Sequence, residues 1–152
     1  MTDELKTDKE EDADELFQQH IEAQCKRLRI LGFTGTPIIR GNLNAMDKSL
    51  LPSLQTVCTE ILNNIAKHGK PGAFAFILSV GPDAVRIFAS NLYNAAINSA
   101  PENHYGTALI QDFAQQHNGT MTINSENEEW SLSLTIPLAH QVKLMFSPTE
   151  KL

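Results

Sequence analysis

The sequence predicts an α/β fold: a two-layer α/β sandwich in which helices cover one face of a mixed, mostly antiparallel sheet. Three observations carry this. Residues 48–68 place apolar side chains at helical spacing and stop at Gly69-Lys70-Pro71-Gly72. Residues 73–80 and 130–136 alternate apolar with small or polar side chains, the pattern of a sheet with one buried face. The stretches follow one another as helix, strand, helix, two strands, loop, helix, two strands, without internal repeat.

Each element has its own signals. Residues 1–13 are acidic and poor in apolar side chains, so a flexible tail is expected there. A first helix is expected from about Asp14 to Leu31, with Leu16, Phe17, His20, Ile21, Leu28 and Leu31 on its apolar stripe and Gly32 as the stop. Thr34 to Gly41 reads as a strand, and Pro37 places it at a sheet edge. Asp47 suits the cap of the second helix, which spans about Lys48 to His68 and tolerates Pro52 because it falls in the first turn. Ala73–Val80 and Ala84–Ser90 are strands joined across Gly81-Pro82-Asp83. Asn91 to Tyr105 lacks any period and reads as a long loop, of the kind that is usually functional or mobile. Gly106 to Asn118 is a third helix, and Thr120–Asn124 with Trp130–Ile136 forms a closing hairpin. The folded domain is thus expected over 14–138, followed by a C-terminal tail over 139–152.

Composition narrows the function. A chain of 152 residues suits one domain, which buries roughly 70% of its unfolded surface. The net charge of −6 lies at the start: residues 1–15 hold 8 acids and 2 bases, leaving 10 of each in the remainder. A neutral body offers no broad basic surface for nucleic acid. Cys25 and Cys58 have no metal-like spacing and read as buried apolar residues, consistent with a reducing cytoplasm. No apolar run reaches the ~20 residues of a membrane span.

The richest stretch is Thr59 to Gly69. At 100° per residue Glu60, Asn64 and His68 share one stripe, with Asn63 and Lys67 beside it. Leu51, Leu54, Cys58, Ile61, Leu62 and Ile65 fill the adjoining apolar stripe. The polar groups therefore sit where core meets solvent, as a pocket floor would. An Asn side-chain oxygen suits Mg²⁺ that keeps its waters and phosphate ligands, and a carboxylate one turn away can activate a nucleophile. Lys67 and His68 can meet phosphate oxygens, and Gly106-Thr107 opens a helix whose free N–H groups favour an anion. The same residues also fit a plain solvated helix face, and His68 a helix-end cap. It is the order of polar helix stripe, two strands, long loop, Gly at a helix start and hairpin that selects the site reading.

Glu60-x-x-x-Asn64-x-x-Lys67-His68 resembles the N box of the sensor histidine kinase ATP-binding domain, a member of the superfamily with gyrase-type ATPases whose sandwich is the Bergerat fold. His104-Tyr105-Gly106-Thr107-Ala108-Leu109 resembles its G2 box, and Asn118-Gly119-Thr120 through Ile136-Pro137-Leu138 its C-terminal hairpin. The resemblance covers about Arg40 to Leu138 and implies that the folded domain over 14–138 binds ATP, with Asn64 as magnesium ligand and Glu60 as the acid that polarises the reacting group. It also implies Lys67 and His68 near the phosphates, residues 92–105 as a lid, and Tyr105, Gly106, Thr107, Ala108 and Leu109 around the phosphates and lid base. The family's G1 box falls near Asn91-Leu92-Tyr93-Asn94-Ala95, so Asn91 stands where the adenine-binding Asp is expected and both glycines are missing. The second Gly of the G2 box is Ala108. An amide can still accept from an adenine amino group, so altered nucleotide binding is implied.

The implied activity is transfer of the γ-phosphate of Mg-ATP to a histidine on a phosphoacceptor and dimerisation domain, for relay to a response regulator. The implied parent is a membrane-bound homodimer, with this part cytoplasmic and by itself a monomer. His20 lacks the acidic neighbour of an acceptor box and reads as a helix-face histidine, so the acceptor is expected upstream. Two alternatives stand beside this. One is a non-catalytic interaction module of the same fold; the other is a stand-alone anti-sigma serine kinase of the same superfamily.

Overall fold

The computed structural model describes residues 2–93 and 107–138, apart from the side chains of 2–12 and of Ala45. Its first helix, α1 (Thr2–Ile30), begins earlier than the expected Asp14. Acids in a first turn complement the helix dipole, and Glu and Lys are good helix formers, so this polar stretch can extend the helix that the apolar stripe anchors. Among its described side chains α1 buries Phe17, Ile21, Cys25 and Leu28, whereas Leu16 and Leu31 of the expected stripe stand in solvent. Gly32, at φ +100°, ends the helix. The Phe33 N–H reaches back to the Leu28 carbonyl at 3.0 Å, closing the last turn in the manner of a Schellman cap.

The strands β1 (Pro37–Gly41), β2 (Gly69–Val80), β3 (Ala84–Tyr93), β4 (Thr120–Glu126) and β5 (Glu129–Pro137) form a five-stranded sheet in the order β1-β2-β3-β5-β4. β1 runs parallel to β2, and every other pairing is antiparallel. Pro37 thus sits on an edge strand, where its missing N–H costs no ladder bond. The strand is shorter than expected, although Thr34 makes an isolated parallel bridge to Ala73. In the β4–β5 hairpin Asn127 and Glu128 both have positive φ, as a two-residue turn of matching twist requires.

Helices α2 (Leu50–His68) and α3 (Thr107–Gln116) join α1 over one face of the sheet. The inward positions of β2, β3 and β5 alternate as Phe74, Phe76, Leu78; Val85, Ile87, Ala89; and Trp130, Leu132, Leu134, Ile136. They share one core with Leu54, Cys58, Ile61, Leu62 and Ile65 of α2 and with Ile110, Phe113 and Ala114 of α3. The opposite face carries Ile38 and Phe88 in the open, so the sandwich has two layers as expected. Asp47 does act just ahead of α2: its Oδ1 accepts from the Ser49 N–H at 3.0 Å.

β2 starts at Gly69, directly at the end of α2, and β3 continues to Tyr93. Asn91 and Leu92, expected in the loop, are therefore ladder residues, and the Tyr93 N–H is held by the Glu128 carbonyl at 2.9 Å. The rest of the expected lid and the tail over 139–152 lie outside the described residues. No helix among the described residues is long and apolar enough to cross a membrane.

Cys25 and Cys58 are both free and buried. Burial raises the Cys25 thiol from the ordinary 9.0 to about 11, with Glu22 adding to the effect and Arg29 opposing it; burial pushes Cys58 higher still. The folded state therefore keeps thiols neutral that the unfolded chain would ionise. Their contribution to stability is intact below the unfolded value and is lost as pH climbs toward the folded one. The urea midpoint should fall as pH rises from 9 to 11, and less steeply in Cys25→Ala/Cys58→Ala; parallel pH profiles would refute this.

Candidate functional site

The two buried polar side chains among the described residues are Asn64 and Asn91, each 2% exposed. In such a core an amide costs stability unless its groups are bonded, so both positions call for a reason. Asn64 is carried inward on α2 between Ile61 and Ile65, which are fully buried. Glu60, one turn earlier, is half-buried at the edge of the same stripe. Ser53 and Val57 continue that stripe toward the helix start. With Leu109, Asp112, Phe113 and Gln116 of α3 they line a groove of about 480 Å³ between the two helices.

Asn91 occupies the inward face of β3, in register with Phe74 of β2 and Trp130 of β5. Its Nδ2 donates to the Leu92 carbonyl at 2.8 Å, while its Oδ1 has no partner among the described residues. A carbonyl accepts only, so this bond also fixes which way round the amide lies. The result is an acceptor oxygen in the core, available to a donor that the described residues do not supply.

The C-terminal turn of α2 meets β3 at Gly69. Its N–H closes the helix onto the Ile65 carbonyl. A Cβ on Gly69 would overlap both that carbonyl and Asn91 Nδ2, so only glycine lets the strand start so close to the amide. This links the helix that carries Asn64 to the strand that carries Asn91.

The other sequence candidates divide. His68 is half-buried as the last residue of α2, and Lys67 is exposed in the same turn, where a cation also suits the helix dipole. Thr107 opens α3 half-buried; Ala108 and Leu109 follow it in solvent. Tyr105 and Gly106 lie outside the described residues. Among the described residues no three His, Cys, Asp or Glu side chains converge as a metal cage. The contributions of Gly69 and of Trp130 beside Asn91 escape a motif reading. The signal for the inward placing of Asn91 was present: Val85, Ile87, Ala89, Asn91 and Tyr93 keep a period of two.

No family model matches the sequence, and no curated protein does. Solved structures do match in fold. The nucleotide-free catalytic domain of histidine kinase ThkA superposes with a TM-score of 0.61 at 12% identity, covering 82% of this chain and 93% of that one. The chain has the fold of a histidine kinase catalytic domain. The blue-light activated histidine kinase EL346 of Erythrobacter litoralis gives a TM-score of 0.58 at 12% identity, over 80% of this chain and 41% of that one. Histidine kinase AdeS of Acinetobacter baumannii gives 0.58 at 10%, over 84% and 64%. At these identities the likeness is one of architecture: a Bergerat-type mixed sheet with helices on one face.

Within this kinase-type fold the Asn91 site carries a cost that can be measured. An acceptor buried without a partner, as Asn91 Oδ1 is among the described residues, costs stability that an apolar side chain of similar shape does not. Asn91→Leu should therefore unfold at the same urea concentration as the parent or a higher one. Gly69→Ala should lose about 1–3 kcal/mol through overpacking. A clear loss of stability in Asn91→Leu would mean that the amide is a structural linchpin instead.

Proposed function

We propose that this chain is the nucleotide-binding catalytic domain of a two-component sensor histidine kinase. In this reading it binds Mg-ATP and gives the γ-phosphate to a histidine on a partner phosphoacceptor and dimerisation domain, for relay to a response regulator. One observation carries the proposal. The two amides taken into an otherwise apolar core are those at which the N-box and G1-box resemblance puts the magnesium ligand and the adenine acceptor.

The residues present fit the group. Asn91 Oδ1 is a buried acceptor without a partner among the described residues, suited to an exocyclic amino group. Asn64 offers one neutral oxygen, enough for a cation whose other ligands are phosphate and water. Lys67, His68 and the N–H groups at the start of α3 would meet phosphate charge. When bound, Mg-ATP supplies the transferable phosphoryl group and the cation that offsets its charge. The chain's own part is to exclude water around the base, to hold the phosphates, and to present Glu60. That half-exposed carboxylate can polarise an incoming imidazole N–H or order a water. The partner histidine is the nucleophile, so the contribution of this chain is positioning and electrostatics.

A second reading has a specific observation in its favour. Asn91 spends its donor on the Leu92 carbonyl and has no carboxylate charge, and the G1 glycines are absent from Asn91 to Ala95. A regulatory module that keeps the fold and binds kinase partners without turnover would have those features. The anti-sigma serine kinase reading separates by product: phosphohistidine is lost in acid and phosphoserine is not.

Calorimetric titration with ATP, with and without Mg²⁺, tests the proposal. Asn64→Ala should remove the magnesium-dependent part of the affinity, a loss of about tenfold or more, while the far-ultraviolet circular dichroism is kept. Identical titrations would take Asn64 out of the site, and no heat at millimolar ATP from folded parent protein would favour the regulatory module. Glu60→Gln should bind Mg-ATP like the parent yet fail to phosphorylate an added acceptor domain; undiminished transfer would dismiss Glu60 as the acting carboxylate.

A further inference from the structure

We propose that α1 is a positioning element for the nucleotide site, and that His20 and Arg27 set the rotation of α2 that aims Asn64. The proposal rests on the nucleotide reading above and goes beyond it by naming residues of another helix that act through α2.

The connection is made by two polar contacts. His20 Nε2 lies 2.8 Å from Thr59 Oγ1, and that hydroxyl also lies 2.9 Å from the Gln55 carbonyl. A carbonyl can only accept, so the Thr59 proton goes to Gln55, and the hydroxyl accepts from His20 Nε2–H. One helical turn on, Arg27 Nη2 donates to Asn63 Oδ1 at 3.1 Å. Arg29 holds α1 itself in register, donating to the Gly35 carbonyl at 2.8 Å and pairing with Glu22 at 2.6 Å.

Thr59 and Asn63 each directly precede one of the two functional residues, Glu60 and Asn64. Successive helical side chains diverge by 100°, so turning 59 and 63 toward α1 turns 60 and 64 away from it. That is the stripe continued toward the helix start by Ser53 and Val57, which line the groove with α3; the lining includes neither Glu60 nor Asn64. The α1 contacts and the site are thus two azimuths of one rigid cylinder.

The apolar stripe decides which face of α2 turns inward, but dispersion contacts are not directional. At a side-chain tip about 5–6 Å from the helix axis, a rotation of about 10° moves the ligating oxygen by about 1 Å. Functional groups must be held within about 0.5 Å. Directional hydrogen bonds at two levels of α2 supply what the greasy stripe of Leu54, Cys58, Ile61 and Ile65 cannot. A shift of α1 would then be felt at Asn64 without any contact between them.

The test is calorimetric titration of the full chain and of Arg27→Ala, Thr59→Val and Asn63→Asp, each with ATP in the presence and absence of Mg²⁺. Arg27→Ala and Thr59→Val should weaken Mg-ATP binding about 2- to 10-fold and leave magnesium-free binding unchanged. Asn63→Asp keeps an acceptor for Arg27 and should bind as the parent does. Adding Arg27→Ala to Asn64→Ala should change nothing more, because the residue through which α1 acts is already gone. A merely structural role predicts a lower unfolding midpoint with unaltered affinity, and that result would overturn the proposal. So would equal losses with and without Mg²⁺. Failure of the parent protein to bind nucleotide is a different result: it removes the nucleotide reading itself and this inference with it.

Discussion

Packing α2 against the sheet takes Asn64 out of water, and the rest of the molecule is arranged around that fact. Leu54, Cys58, Ile61, Leu62 and Ile65 are all within 1% of full burial on the same helix. Each large apolar side chain so buried contributes roughly 1.5–3 kcal/mol, more than the desolvation of one amide that keeps a partner costs. The apolar stripe therefore outweighs the polar passenger several times over. A helix with a weaker stripe would roll until Asn64 met solvent. Glu60 escapes this cost because it sits at the stripe's edge, where a carboxylate stays hydrated until something displaces the water.

Asn91 shows the same balance on the sheet side. It lies on β3, with β2 and β5 bonded on either flank, so three strands fix its backbone. Its Nδ2 donates locally to the Leu92 carbonyl, and Gly69 leaves the room for the amide that a Cβ would fill. In so dry a place a hydrogen bond counts for more than in water, and an unpaired polar atom costs more. Stability is given up for it. The long helix α1, tied to the flank of α2 through His20 and Arg27, belongs to the same economy of fixing angles rather than adding contacts.

Much of this architecture can be read from local pattern. The alternation around Trp130 to Ile136, the period of Leu54 to Ile65, Gly32 as a stop and Pro37 at an edge all rest on neighbouring residues alone, and the structure agrees with each. The readings that needed correction involve residues whose state is set from a distance. Leu16 and Leu31 are apolar yet exposed, because α1 buries only the side that α2 and the sheet cover. Ser90 reads as the end of a strand because the stretch from Asn91 to Tyr105 as a whole is small and polar; the β5 and β2 ladders extend the strand regardless. The polar start of α1 gave no apolar period to read, yet it continues the helix.

By itself the sequence determined the periodicities, the stops, and which stripe of α2 would bear Glu60, Asn64 and His68, since a helix's faces follow from spacing alone. Only the tertiary structure decided that Asn64 and Asn91 are withdrawn from solvent, that Asn63 turns to Arg27 while Asn64 turns away, and that Gly69 must lack a side chain. Those outcomes depend on which surfaces meet, and burial is a property of the assembled layers that no single segment contains.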